Sequence, residues 1–151
     1  MTDTDKVVQR LIDRAAIQDL LARYAHCVDR RDLEGVAACF TSDAEYRGSL
    51  GEGTIQKALI ALRDRMARYE STMHLLGNQL IEIDGDRARS ETYAIAHHRL
   101  NNNGDRHNLA VGVRYEDDLV RRDGRWVICR RVVHMEWERD DTVFLPEDSD
   151  S

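Results

Sequence analysis

Near His74 the spacing of apolar residues changes, and that change sets what the chain can become. Before it, apolar side chains recur every three or four positions. After it they alternate. Val8, Leu11, Ile12, Ala15, Leu20, Leu21, Tyr24 and Val28 give the stripe of an amphipathic helix over about 5–30. A short helix over about 32–40 turns Val36, Ala37 and Phe40 inward, and Thr41-Ser42-Asp43 ends it. Ala44 to Arg47 reads as a short strand, and Gly48, Gly51 and Gly53 mark a loop. A third helix covers about 54–69, with Thr54 as N-cap and Ile55, Ala58, Leu59, Leu62 and Met66 on one face.

The second half reads as strands separated by turns. Leu80 to Ile83 alternates and Asp84-Gly85-Asp86 reverses the chain. Strands follow at about 87–100, 107–120 and 126–137, divided by Asn101 to Asp105 and by Arg122-Asp123-Gly124-Arg125. Three helices before a meander of long antiparallel strands make an α+β domain, with the helices on one face of a strongly curved sheet. That domain is expected over 1–146, with 147–151 a disordered acidic tail.

At 151 residues and 42% hydrophobic composition, one domain with one core is expected. The net charge of −6 makes nucleic acid a poor partner, because phosphate contacts need a basic face. Apolar runs fall short of the ~20 residues a membrane span needs. The acidic start lacks the features of a signal peptide, so a cytoplasmic location is expected. Cys27, Cys39 and Cys129 are odd in number, show no C-x-x-C spacing and read as core thiols.

Two titratable groups in apolar surroundings carry the chemistry. Asp29 closes the first helix, and His74 lies in Thr72-Met73-His74-Leu75-Leu76-Gly77-Asn78, just before a strand. A carboxylate at a helix C-terminus opposes the dipole and needs a donor. An imidazole supplies one, and in return its tautomer is set for general-base work near neutral pH. Alternation places Ala88, Ser90, Thr92, Ala94, Ala96 and His98 on one small-residue face, with His97 on the other. It also places Val127, Cys129, Arg131, Val133 and Met135 together, with Arg130 outward. A register slip of one residue exchanges His98 for His97 and Arg131 for Arg130. An arginine on an apolar face needs an anion, either a substrate oxygen or an ion-pair partner. No metal site is expected, since H-x-x-x-H and E-x-x-H spacings are missing. Phosphate loops, dinucleotide fingerprints and nucleophile elbows are missing too.

Four segments in this order resemble the SnoaL-like branch of the nuclear transport factor two-like superfamily. They are Arg14 to Leu20, Phe40 to Tyr46, Thr72-Met73-His74 with Asn78, and Arg122 to Trp126. Within that branch the chain is similar to scytalone dehydratase, bile-acid dehydratase and hexachlorocyclohexane dehydrochlorinase. The resemblance implies a cone-shaped α+β barrel and a cofactor-free lyase with an Asp29–His74 dyad. It implies that Tyr24 and Arg131 stabilise an oxyanion or leaving group, with His98 as a second histidine. Tyr46, Asn78, Ala96 and Val133 are then substrate-binding positions. The expected partner is a small cyclic, largely apolar substrate such as a steroid or polyketide ring. The expected assembly is a homotrimer or homodimer. The alternatives are an isomerase or cyclase of the same fold, or a ligand-binding domain without catalysis.

Overall fold

The computed structural model describes residues 1–102 and 105–142. Helix α1 (Asp3–Asp29) opens with a capping box in which Thr2 and Asp5 each bond the other's backbone N–H. Helix α2 (Leu33–Ala38) is capped by Asp32. Helix α3 (Ile55–Met66) buries Ile55, Ala58, Leu62 and Met66. Thr54 occupies its N-cap position but makes no side-chain cap bond.

The strands are β1 (Phe40–Gly48), β2 (Gly51–Thr54), β3 (Ser71–Asp84), β4 (Arg87–Asn102), β5 (Asp105–Arg122) and β6 (Arg125–Thr142). They form one curved sheet in the order β2-β1-β6-β5-β4-β3. The β5–β6 turn has Asp123 and Gly124 both left-handed, the geometry whose twist matches a two-residue hairpin. The α+β class and the strongly curved sheet are as patterning leads one to expect, and two details differ from an antiparallel sheet closed into the cone-shaped barrel that the resemblance implies. Strand β1 runs parallel to β6, and the connection between them is the long crossover through β2, α3 and β3–β5. The sheet stays open, with β2 and β3 as its edges, and the helices cover its concave side.

Three further differences have local causes. Val8, Leu11, Ile12 and Ala15 are exposed, and the buried stripe of α1 is Asp13, Ile17, Leu20, Leu21, Tyr24, Ala25 and Val28. Asp13 fits there because it accepts from Trp126 Nε1 at 3.1 Å and pairs with Arg121 at 2.7 Å. His74 is inside β3, not before it, because Gly77-Asn78 forms an irregularity between Leu76 and Gln79 rather than the strand's start. In β6, Ile128 pairs with Leu119 and Arg130 with Asp118. Cys129 is therefore an extra residue, and the alternation flips there. Trp126 and Ile128, not Val127 and Cys129, share the inward face with Arg131.

Part of the turn expected at 101–105, and the tail 147–151, lie outside the described residues. Among the described residues no helix is long and apolar enough to cross a membrane.

Candidate active site

Asp29 is the last residue of α1, and its carboxylate meets the start of β3. Oδ1 lies 2.7 Å from His74 Nδ1 and accepts from the Thr72 hydroxyl at 2.9 Å. Oδ2 accepts from the His74 backbone N–H at 2.9 Å. Thr72 and His74 can both reach it because they are two apart on one face of a strand. Arg31 secures the join. It takes the left-handed conformation just past the helix, with φ 59°, and its guanidinium donates to the Tyr69 and Glu70 carbonyls.

Burial raises the carboxyl's proton affinity, but the His74 ring, the His74 amide and the Thr72 hydroxyl outweigh it and hold Asp29 below its ordinary range. A lowered folded value stabilises the protein above the unfolded value, about 3.9. That stabilisation is lost as pH falls through the folded value. The stability advantage of the wild type over Asp29→Asn is therefore expected to narrow between neutral pH and about pH 3. Urea melts across that range check it, and a constant difference would contradict the carboxylate's role.

Beside this pair lies a cavity of about 380 Å³ between α1, α3 and the concave sheet face. Tyr24, Tyr46, His74, Ala96, His98 and Val133 all line it, each at a position singled out in the sequence. Asp29 does not line it and stands behind the His74 ring. With Nδ1 engaged by Asp29, Nε2 is the ring nitrogen left to act on a bound molecule. The His98 ring is 6.0 Å from that of His74, edge to face, and 4.6 Å from Tyr69. Burial, and then the nearby His74 and Arg65 charges, lower the proton affinity of His98 against the pull of the Leu109 carbonyl. Neutral His98 donates from Nδ1 to that carbonyl at 3.2 Å, so its Nε2 is an acceptor. Burial raises the Tyr24 phenol and pushes Tyr46 up to about 12, so both remain hydroxyl donors.

Arg131 and Asn78 are placed elsewhere than expected. Arg131 points inward but beneath the cavity, 1% exposed. Its guanidinium makes a two-pronged pair with buried Asp117, Nε at 2.7 Å and Nη2 at 2.8 Å. It also lies over the rings of Tyr24 at 4.1 Å and Tyr115 at 4.5 Å. Burial works against its charge, but Asp117 more than compensates. The anion that Arg131 requires is thus a protein carboxylate. Asn78 faces the convex side of the sheet, where it lines a groove of about 620 Å³ with Leu75, Tyr93 and Trp137. The irregularity that holds Asn78 also turns it away from His74.

Sequence reasoning missed Thr72, Tyr115 and Asp117. Thr72 sits two residues from His74, which is the signal that would have found it; Tyr115 and Asp117 alternate with exposed or half-buried neighbours between buried Val113 and Leu119 on β5. Among the described residues no cluster of three or more His, Cys, Asp or Glu is arranged to hold a metal.

Comparison with known proteins agrees with this architecture. A model of the SnoaL-like domain matches residues 9–132. The uncharacterised Mycobacterium tuberculosis protein Rv2910c is 35% identical over 129 residues, 83% of this chain and 86% of that protein. A Novosphingobium aromaticivorans structure, provisionally assigned as a scytalone dehydratase, superposes with TM-score 0.74 at 25% identity, covering 95% of this chain and 94% of that one. The hexachlorocyclohexane dehydrochlorinase LinA-type3 of Novosphingobium barchaimii superposes with TM-score 0.80, covering 93% and 99%, and at 23% identity this is a likeness of fold. Over most of its length, the chain belongs to the SnoaL-like domain family.

Proposed function

We propose that the protein is a cofactor-independent lyase of the dehydratase type. Its substrate is a small cyclic, largely apolar molecule with a hydroxyl β to a carbonyl. The observation that carries this reading is the 2.7 Å Asp29–His74 contact at the wall of a cavity with an apolar floor. His74 Nε2 takes the proton from the carbon next to the carbonyl. The C–H electron pair moves to the carbonyl oxygen as an enolate, to which the Tyr24 hydroxyl donates. Collapse of the enolate forms the C=C bond and breaks the β C–O bond. The departing hydroxide takes the proton back from His74, so water leaves and the protein is restored. Asp29 stabilises the transient imidazolium and keeps the proton on Nδ1. His98 Nε2 accepts from a ring hydroxyl and orients the substrate. Arg131 and Asp117 act beneath this layer by holding the Tyr24 ring in place.

Incubation of β-hydroxy ring ketones with the protein in D₂O tests the reading, with the conjugated enone followed by absorbance and mass. The wild type should form enone with loss of water. Deuterium incorporation without elimination would indicate an isomerase or cyclase instead. Ligand-induced shifts of His74 with neither exchange nor elimination would indicate a binding domain.

A further inference from the structure

The cavity that holds His74 is not evenly polar. Its floor is built from buried side chains, among them Tyr24, Val111, Val113 and Tyr115. Its rim is where the lining residues become exposed, and two of the charged ones there are arginines. Arg65 and Arg68 leave the last turn of α3 and the residues just after it, three apart, so both can address one opening. Arg65 is tied down by bonds to the Ser49 hydroxyl at 3.0 Å and the Ser49 carbonyl at 2.5 Å. It lines the same cavity as His98 and Tyr69. Among the described residues, neither Arg65 nor Arg68 is paired with a carboxylate, and these two line the cavity. Of the acids near this opening, Asp29 is consumed by His74 and Thr72, leaving Glu138 on β6 as the one lining carboxylate. The rim therefore carries an excess of positive charge on a chain whose net charge is −6. That excess cannot come from the protein's general field, which repels anions.

We propose that Arg65 and Arg68 form an anion-recognising rim, and that the molecule taken by this cavity is a ring compound carrying a carboxylate at the end remote from the reacting carbons. This rests on the reading of the cavity as the substrate site. The apolar ring fills the floor and presents its reacting carbons to His74, while the carboxylate stays at the rim in contact with water. An anion placed there keeps most of its hydration and gains charge-assisted hydrogen bonds from one or both guanidinium groups. Deeper in, the same carboxylate would meet tyrosines and valines and lose that hydration without recompense. Charge at one end and apolar surface at the other also fix which way round the ring enters.

The test uses 2-naphthoate and its neutral counterpart of matched shape, 2-naphthamide, titrated against the intact protein by NMR. The His74 and His98 ring resonances locate binding in this cavity and not in the convex groove. Naphthoate is expected to bind about tenfold more tightly than naphthamide. The ratio should fall towards one in Arg65→Gln and in Arg68→Gln, and Arg68→Lys should restore part of it. Arg68 is exposed and makes no side-chain bond among the described residues, so its variants leave the fold intact even if Arg65→Gln loosens the Ser49 turn. Equal affinities in the wild type, an unchanged ratio in both Gln variants, or naphthoate that fails to move His74 at millimolar concentration would each overturn the proposal. These outcomes are separate from the catalytic question: naphthamide binding that moves His74 without charge preference removes the anion rim alone, whereas absence of enone in D₂O removes the lyase.

Discussion

In His74→Gln, the rate of enone formation from a turned-over β-hydroxy ketone is expected to fall by about 10²–10⁴-fold, the range a positioned general base supplies. Glutamine roughly keeps the volume of imidazole and can still donate to Asp29, so the cavity should keep its shape and ligand affinity should change little. The loss should therefore appear in kcat and not in KM. Asp29→Asn is expected to lose activity for a different reason. An asparagine amide can donate to Nδ1 and so stabilise the tautomer whose proton sits on Nε2, where the base has to act. Nitrogen shifts of the His74 ring would show that exchange of tautomers directly. Activity retained in both variants would remove the dyad and with it the proposed mechanism.

Asp117→Ala is expected to cost about 3–5 kcal/mol of stability, the usual penalty for stranding one member of a buried ion pair. Asp117 and Arg131 are each 1% exposed, and the two bonds between them are short. One Arg131 nitrogen, Nη1, is already buried without a partner, so the guanidinium has no reserve acceptor when Asp117 is removed. Urea unfolding checks the loss as a fall in midpoint at constant slope. The paired change Asp117→Leu with Arg131→Met should recover much of it, because an apolar pair of similar volume needs no desolvation. A mild effect in Asp117→Ala would mean that water reaches the guanidinium and that the pair is not sealed.

How much was legible beforehand can be judged from particular residues. His98 was placed in the cavity by alternation alone, because β4 runs from Ala88 to His98 without an irregularity and each second side chain is inward. Asn78, a substrate-binding position by resemblance alone, lies on the other side of the sheet because the chain slips register between Leu76 and Gln79, and such a slip reverses the faces beyond it. Arg131 was correctly turned inward, but the neighbours assigned to it were wrong upstream of Cys129, where the extra residue reverses the faces. The exposed Leu11 and Ile12 show a related limit. Helical periodicity reports that a stripe exists, and only the position of the sheet beneath decides which part of it is covered.

By itself, the sequence determined the α+β class, the order of elements apart from the short strand β2, whose glycines read as a loop, the turn at Arg122 to Arg125 and the small inward face of β4. These depend on local spacing and on backbone preferences within a few residues. It also singled out Asp29 and His74 as groups in need of partners. The resemblance implied that they pair, and the tertiary structure supplied the 2.7 Å contact across 45 positions; it alone decided that Arg131 spends its charge on Asp117, and that Arg65 and Arg68 gather at the rim of the same cavity. Those are contacts between elements distant in the chain. Their geometry depends on the sheet's curvature, on its irregularities and on the angle at which α1 meets β3, none of which a local pattern encodes.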